Sequence, residues 1–299
     1  MNDVIYENYK LAGKIASEAR NYGVSLIKAE ASLLEVANKV ESKIQDRGAG
    51  LGFPVNISLN EIAAHYSPRN DDTWVFKTGD VVKLDVGTHI DGYIADTAVT
   101  VEVGTNNYDD MIEASSKGLE AAINLMKPGI NLREIGKKVK ETITSYGFKP
   151  IDNLTGHSLE RYIIHAGISV PSVPSLNRNI SPKVGDVLAI EPFATNGAGH
   201  VISGDGSNIY ICKKSHNPRL IRDKNIKIIT NRIKNQFKTL PFAQRWFEKL
   251  FPNHDTFLSR LAFFGVINQY PQLVESNKGI VTQKEHTVIL TQDGCEVIT

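Results

Sequence analysis

Cysteine is scarce in this sequence, with Cys212 and Cys295 alone among 299 residues. Two are too few for a disulfide framework and their spacing suits no metal, so both read as ordinary buried thiols. Any metal site must therefore be built from oxygen and imidazole. An excess of one charge is missing too: 34 basic against 33 acidic residues leave +1, and nothing global marks a nucleic-acid or membrane partner. No apolar run approaches the roughly 18 residues of a membrane span. The opening "MNDVIYENYKLAGKIASEARNYG" carries acids within its first residues and a helical apolar period, unlike a secretory leader, so a cytoplasmic protein is expected. The chain is long enough to bury a substantial core as one large domain or two ordinary ones.

What is present begins with "KLDVGTHIDGYIADTAVT", residues 83–100. Two strand-like runs flank the turn signal "HIDG". A hairpin symmetric about the Ile90–Asp91 peptide would make Asp85 and Asp96 direct cross-strand partners. Like charges so placed, with Cβ atoms roughly 4.5–5.5 Å apart, destabilise a sheet. Either the pair is a chance feature of a solvated hairpin or a divalent cation lies between the two.

The surrounding pattern occurs twice. Residues 7–22 read as an amphipathic helix with Tyr9, Ala12, Ile15, Ala16 and Ala19 on one face, closed near Gly23, and a second helix is expected to open at Ser25. "MIEASSKGLEAAINLMKPG" and "NLREIGKKVKETITSYG" repeat that arrangement. "GDVVKLD" (79–85) then aligns with "GDVLAIE" (185–191) at an offset of 106, which makes Glu191 the internal counterpart of Asp85. An internally duplicated α+β architecture of sheets covered by helices follows, with the site where the halves meet.

Three histidines enter the same frame. His65 and His157 both lie downstream of an "FP"-like element and so are expected in related places, and His165 follows eight residues after His157. Glu285 interrupts the apolar run "GIVTQKEHTVILT"; alone it would read as a half-exposed strand glutamate, and its neighbour His286 reads as structural. Carboxylates with imidazole and no thiolate suit Mn²⁺, Fe²⁺, Co²⁺ or Zn²⁺. Four carboxylates and one histidine supply donors for two ions.

The ordered set Asp85, Asp96, His157, Glu191 and Glu285, within "DVGTHIDGYIAD", "TGHSLERYIIHAG", "AIEPFAT" and "QKEHTVIL", resembles the methionine aminopeptidase family across essentially the whole chain, and more closely its type II branch. The resemblance implies the pita-bread fold with pseudo-twofold symmetry, and two divalent ions (Co, Mn, Fe, Zn or Ni) as cofactors. It implies that Asp96 and Glu285 bridge the ions, that Asp85 completes the shell of one, and that His157 with Glu191 completes the other. It places catalytic, substrate-binding histidines at His65 and His165, a proton shuttle at Glu191, and a methionine slot lined by Phe53 and Ile164. Where relatives often carry a histidine at the slot's rim, this sequence has Ile209.

Glu191 and Glu285 are 94 residues apart, whereas neighbouring strands need only about 30 with ordinary connections. A helical insert over 208–270 is therefore expected, leaving 1–207 and 271–299 as the catalytic domain. Between 213 and 249 it holds eleven Lys or Arg against Asp223 and Glu248, and reads as a lobe shaping the cleft in preference to an RNA- or ribosome-binding module. The resemblance further implies a compact archaeal form, a monomer that acts on the N-terminal Met of nascent or newly released polypeptides, with the ribosome as a further partner and neither specific DNA nor membrane. An Xaa-Pro peptidase of the same fold and a non-catalytic RNA- or ribosome-binding relative are the competing readings.

Overall fold

The computed structural model describes residues 1–174, 181–213, 223–251 and 254–299. Helices α1 (Asp3–Leu26) and α2 (Leu33–Asp46) open the chain, followed by the short strands β1 (Gly50–Leu51), β2 (Asn56–Leu59) and β3 (Ile62–Ala64) and the hairpin β4 (Val81–Ile90) and β5 (Tyr93–Glu102). The order then recurs with α3 (Asp109–Leu125), α4 (Leu132–Ser145), β6 (Lys149–Pro150), β7 (Thr155–Ser158), β8 (Ser169–Pro171) and β9 (Val187–Ile190). Strands β10 (Phe193–Thr195) and β11 (Val201–Cys212) lead into α5 (Lys224–Phe237), β12 (Phe242–Ala243), α6 (Gln244–Leu250) and α7 (His254–Phe263). The chain returns through β13 (Ile267–Glu275), β14 (Val281–Gln283), β15 (His286–Leu290) and β16 (Cys295–Val297).

All five residues of the expected apolar face of α1 are buried. That helix nevertheless runs past Gly23, where a Cβ would lie 2.5 Å from Leu84 and 2.8 Å from Val40. The glycine lets α1 lie close on β4 and α2, so it is not a stop, and Ser25 belongs to the last turn, bonding the Tyr22 carbonyl. The second helix opens instead at Ser32, which accepts from the Glu35 N–H in an S-x-x-E frame. In the second half Asn131 caps α4 as its position requires.

The duplication appears bond for bond at the strand entrances. The Asp80 carboxylate accepts the Lys77 N–H at 2.8 Å and the Asp186 carboxylate accepts the Lys183 N–H at 2.7 Å. Gly79 donates to the Val103 carbonyl and Gly185 to the Leu290 carbonyl, at 2.8 and 2.9 Å. Leu84 joins the core beneath α1 and α2, and Ile190, its counterpart, joins the core beneath α3 and α4. Burying equivalent apolar residues under equivalent helix pairs is the force that forms both halves.

Strands β11 and β13 form a long ladder that reaches Cys212↔Ile267, and the 208–270 boundary falls within it. Beyond the ladder the segment has its own core, including Ile226, Ile233, Phe242, Phe247 and Leu261. Residues 214–222 of the basic run lie outside the described residues.

Candidate metal centre and active site

The β4–β5 hairpin turns on Asp91 and Gly92, both at positive φ (49° and 86°), the two-residue geometry that D-G favours. This turn shifts the register from the expected one. Asp85 lies opposite Ala98 and Asp96 opposite Gly87, so the aspartates are diagonal neighbours on one face, still within reach of each other. Burial, reinforced by the Asp85 charge, disfavours ionisation of Asp96.

The second half meets this hairpin along β5. Thr97 donates to the Glu285 carbonyl at 2.9 Å, Glu285 donates to the Ala98 carbonyl at 3.0 Å, and the Thr287 hydroxyl accepts the Asp96 N–H at 2.8 Å. Glu285 is thereby fixed in the core at 1% exposure, not half-exposed at a strand surface. His157 projects from β7 beside β9, and Glu191 follows directly on β9. His157 Nε2 stands 3.7 Å from an Asp96 oxygen and 3.6 Å from a Glu191 oxygen. Ligand atoms of Asp96, His157 and Glu285 all lie within 4.8 Å of one another.

Burial pushes Asp85 up to about 7. It pushes Asp96, Glu191 and Glu285 well above the usual carboxylate range, with the neighbouring carboxylates reinforcing the shift. Burial lowers His157 to about 3, with the neighbouring His165 adding to the effect. Oxygens of Asp85, Asp96 and both of Glu285, and Nδ1 of His157, are buried without a hydrogen-bond partner. Orphaned acceptors converging from both halves are an uncompensated electrostatic cost that divalent cations remove. The donor set of four carboxylates and an imidazole fits such ions.

The same cavity is lined by Phe53, Ile164, Ile209, Pro241 and Tyr270 on its apolar side, and by His65 and His165 beside the acids. His165 packs edge-on against His157 with ring centroids 4.5 Å apart, and His65 against Tyr270 at 5.2 Å. His65 sits at φ 67°, its Nδ1 buried and unpartnered, and burial lowers its pKa to about 4. Every sequence-predicted site residue thus meets in one cavity. His65 and His157 do not occupy related places, however: His157 pairs with Ala189, whose counterpart Lys83 pairs with Ser58, while His65 lies in the loop after β3. His286 Nδ1 lies 3.0 Å from the Thr299 hydroxyl.

Asn56, Pro241 and Tyr270 also line the cavity and went unrecognised in the sequence. Asn56 had a signal, as a polar residue in a buried strand opposite Asp85. Tyr270 and Pro241 had none, since both fall in the stretch assigned to the insert.

A model of metallopeptidase family M24 matches residues 7–226, and the chain belongs to that family. Its relatives narrow the assignment. The methionine aminopeptidase of Pyrococcus abyssi is 46% identical over 290 residues, covering 96% of this chain and 97% of that protein. On that likeness the chain belongs with the archaeal methionine aminopeptidases. Among solved structures, a thermophilic Arx1 matches with a TM-score of 0.88 at 17% identity, covering 100% of this chain and 91% of the other. The methionine aminopeptidase of Thermotoga maritima matches with a TM-score of 0.72 at 22% identity, covering 100% of this chain and 98% of the other. These two show the fold, which is the expected pita-bread arrangement. Among the described residues no helix is long and apolar enough to cross a membrane.

Proposed function

We propose that this protein is a metal-dependent methionine aminopeptidase that removes the initiator methionine from newly made polypeptides whose second residue is small. The observation that carries the reading is the convergence of Asp85, Asp96, His157, Glu191 and Glu285 beside an apolar slot, in a chain 46% identical to a methionine aminopeptidase. Asp85, Asp96, His157, Glu191 and Glu285 would together hold two divalent ions. Such ions supply Lewis acidity and an activated water at neutral pH.

The remaining work falls to the protein's own groups. Phe53, Ile164 and Ile209 offer the thioether side chain dispersion contacts and no polar partner. Both His65 and His165 are held neutral near pH 7 by burial. The buried, unpartnered Nδ1 of His65 is an acceptor suited to the scissile amide N–H in the tautomer protonated at Nε2. His165 is then the donor for the carbonyl oxygen as charge develops on it. Glu191 is placed to carry a proton from the attacking water to the leaving amine, while Gln283 donates to its Oε2 at 3.2 Å.

The 208–270 segment is taken as the type II insert, a lobe that walls the cleft through Ile209, Pro241 and Tyr270. The test is release of Met from Met-Ala-Ser, abolished by chelation and restored by Mn²⁺ or Co²⁺. Cleavage of Xaa-Pro peptides alone would move the protein to the prolidase branch. No turnover with any of these ions, together with retained RNA binding, would favour the non-catalytic reading.

A further inference from the structure

Outside the acid cluster, Glu41 of α2 and Arg245 of α6 form an ion pair in the interior, at 5% and 0% exposure. The contacts around it close a ring. Glu41 Oε1 accepts both the Arg245 guanidinium and the Val55 N–H, the latter at 3.2 Å, and its Oε2 accepts the Trp246 indole N–H at 2.8 Å. Arg245 donates to the Ser67 hydroxyl at 2.7 Å and the Pro68 carbonyl at 3.1 Å, and the Ser67 hydroxyl donates to the Val55 carbonyl at 2.9 Å. Glu41, Arg245, Ser67 and Val55 are thus joined in a circuit that holds both the N–H and the carbonyl of Val55.

Val55 stands between Phe53 and Asn56 of the slot, and Ser67 lies two residues beyond His65. His65 keeps a left-handed backbone that a non-glycine residue adopts only when its surroundings over-determine it. Its loop has further anchors in β11, where Ser207 accepts the Ser67 N–H and Asn208 donates to the Ser67 carbonyl. Burial disfavours the charged form of both partners, raising Glu41 and lowering Arg245. A buried pair of this kind is weak evidence for stability, since apolar residues of similar volume would often serve as well. What apolar residues could not supply is the directed set of bonds to Val55, Ser67 and Pro68.

Building on the function proposed above, we infer that Glu41 and Arg245 are positioning residues: they use helix α6 of the 208–270 segment to hold the Phe53–Asn56 wall and the His65 loop in register with the acids. The segment outside the duplication then contributes to turnover without touching the reacting atoms.

The test is the paired variant Glu41→Met/Arg245→Met, which removes both charges together and leaves neither unpaired. It should melt near wild type and bind metal at wild-type stoichiometry, yet lose about 10- to 100-fold in kcat on Met-Ala-Ser. In a His65→Ala background the same pair should cost no more than about twofold further in kcat, because its effect on kcat runs through His65, while its hold on the Phe53–Asn56 wall is read in KM. An equal loss in both backgrounds, or a loss that tracks melting temperature, would overturn the inference. If the paired variant does not fold, Ser67→Ala is measured in the same two backgrounds, since it keeps the ion pair and frees the loop. Histidine ring NMR on the metal-free protein separates this inference from the assigned activity. The His65 resonances, identified by their loss in His65→Ala, should move while those of His200 stay, and a fixed His65 signal would overturn the positioning role even in a protein that releases no Met.

Discussion

Thr287 makes a two-way hydrogen bond with Asp96: its hydroxyl accepts the Asp96 N–H and donates to the Asp96 carbonyl, both at 2.8 Å. One side chain of the second half thereby fixes the backbone of a candidate ligand in the first. Thr287→Val keeps the shape and leaves both backbone groups buried without this partner, at a cost of about 1–3 kcal/mol. Metal affinity should fall about tenfold or more as Asp96 loses its alignment. Denaturant unfolding and metal titration check both effects, and Thr287→Ser should restore most of each.

Asp96 and His165 should separate when metal content and turnover are measured together. Asp96→Asn removes a charged donor from the centre of the cluster and should lose metal and activity in parallel. His165→Ala should keep its metal near the wild-type content and lose about 10²- to 10³-fold in turnover, the scale of one oxyanion donor. Elemental analysis of both purified variants decides the matter, because equal metal loss would make His165 a ligand.

The acid cluster gives the metal-free protein a defined pH response. Asp85, Asp96, Glu191 and Glu285 have folded-state pKa values above their unfolded ones, so the folded state retains protons that the unfolded chain releases. Their contribution is present below the unfolded values and is lost as pH rises through the folded values, about 7 for Asp85. The buried histidines act oppositely: His65 and His157, lowered to about 4 and 3, favour folding increasingly as pH rises toward the ordinary value of 6.5. Above that value the buried carboxylates lower stability with rising pH and Lys83, which burial lowers to about 7, opposes them; four carboxylates against one lysine leave metal-free stability falling between about pH 6.5 and 8. Added Mn²⁺ replaces the retained protons, and its gain in melting temperature should therefore increase over the same interval, with proton release detectable by calorimetry in buffers of different ionisation enthalpy. A gain that is flat across this range would mean that the carboxylates are already ionised without metal.

Much of this site was legible because Asp85 and Glu285 interrupt otherwise apolar runs, because the ordered ligand set resembles that of the methionine aminopeptidases, and because the offset between "GDVVKLD" and "GDVLAIE" survives in the fold as matching turn bonds. The details that were not legible depend on packing. Gly23 resembles a helix stop in sequence and is instead a point of close approach to Leu84 and Val40. The Asp85–Asp96 register depended on which peptide centred the turn, and a shift of one position in that centre moved the pair from opposed to diagonal. Arg245 looked like one more cation in a solvated run, because no local pattern announces Glu41 as its buried partner, 204 positions earlier.

Gly87 offers a test of the methionine slot from behind. It pairs with Asp96 in the hairpin, and a Cβ built on it would lie 2.1 Å from the Phe53 ring. The ring is 5% exposed and faces the cavity, so Gly87→Ala must displace it or move the strand. Overpacking of this kind costs about 1–3 kcal/mol, and the displaced ring would narrow the slot. KM for Met-Ala-Ser should therefore rise while bound metal is unchanged, and Gly87→Ala/Phe53→Leu should recover both stability and KM by giving the methyl group room. Failure of Phe53→Leu to improve either quantity would mean that the strand, with Asp96 opposite it, takes up the strain, and loss of metal from the single variant would then accompany it.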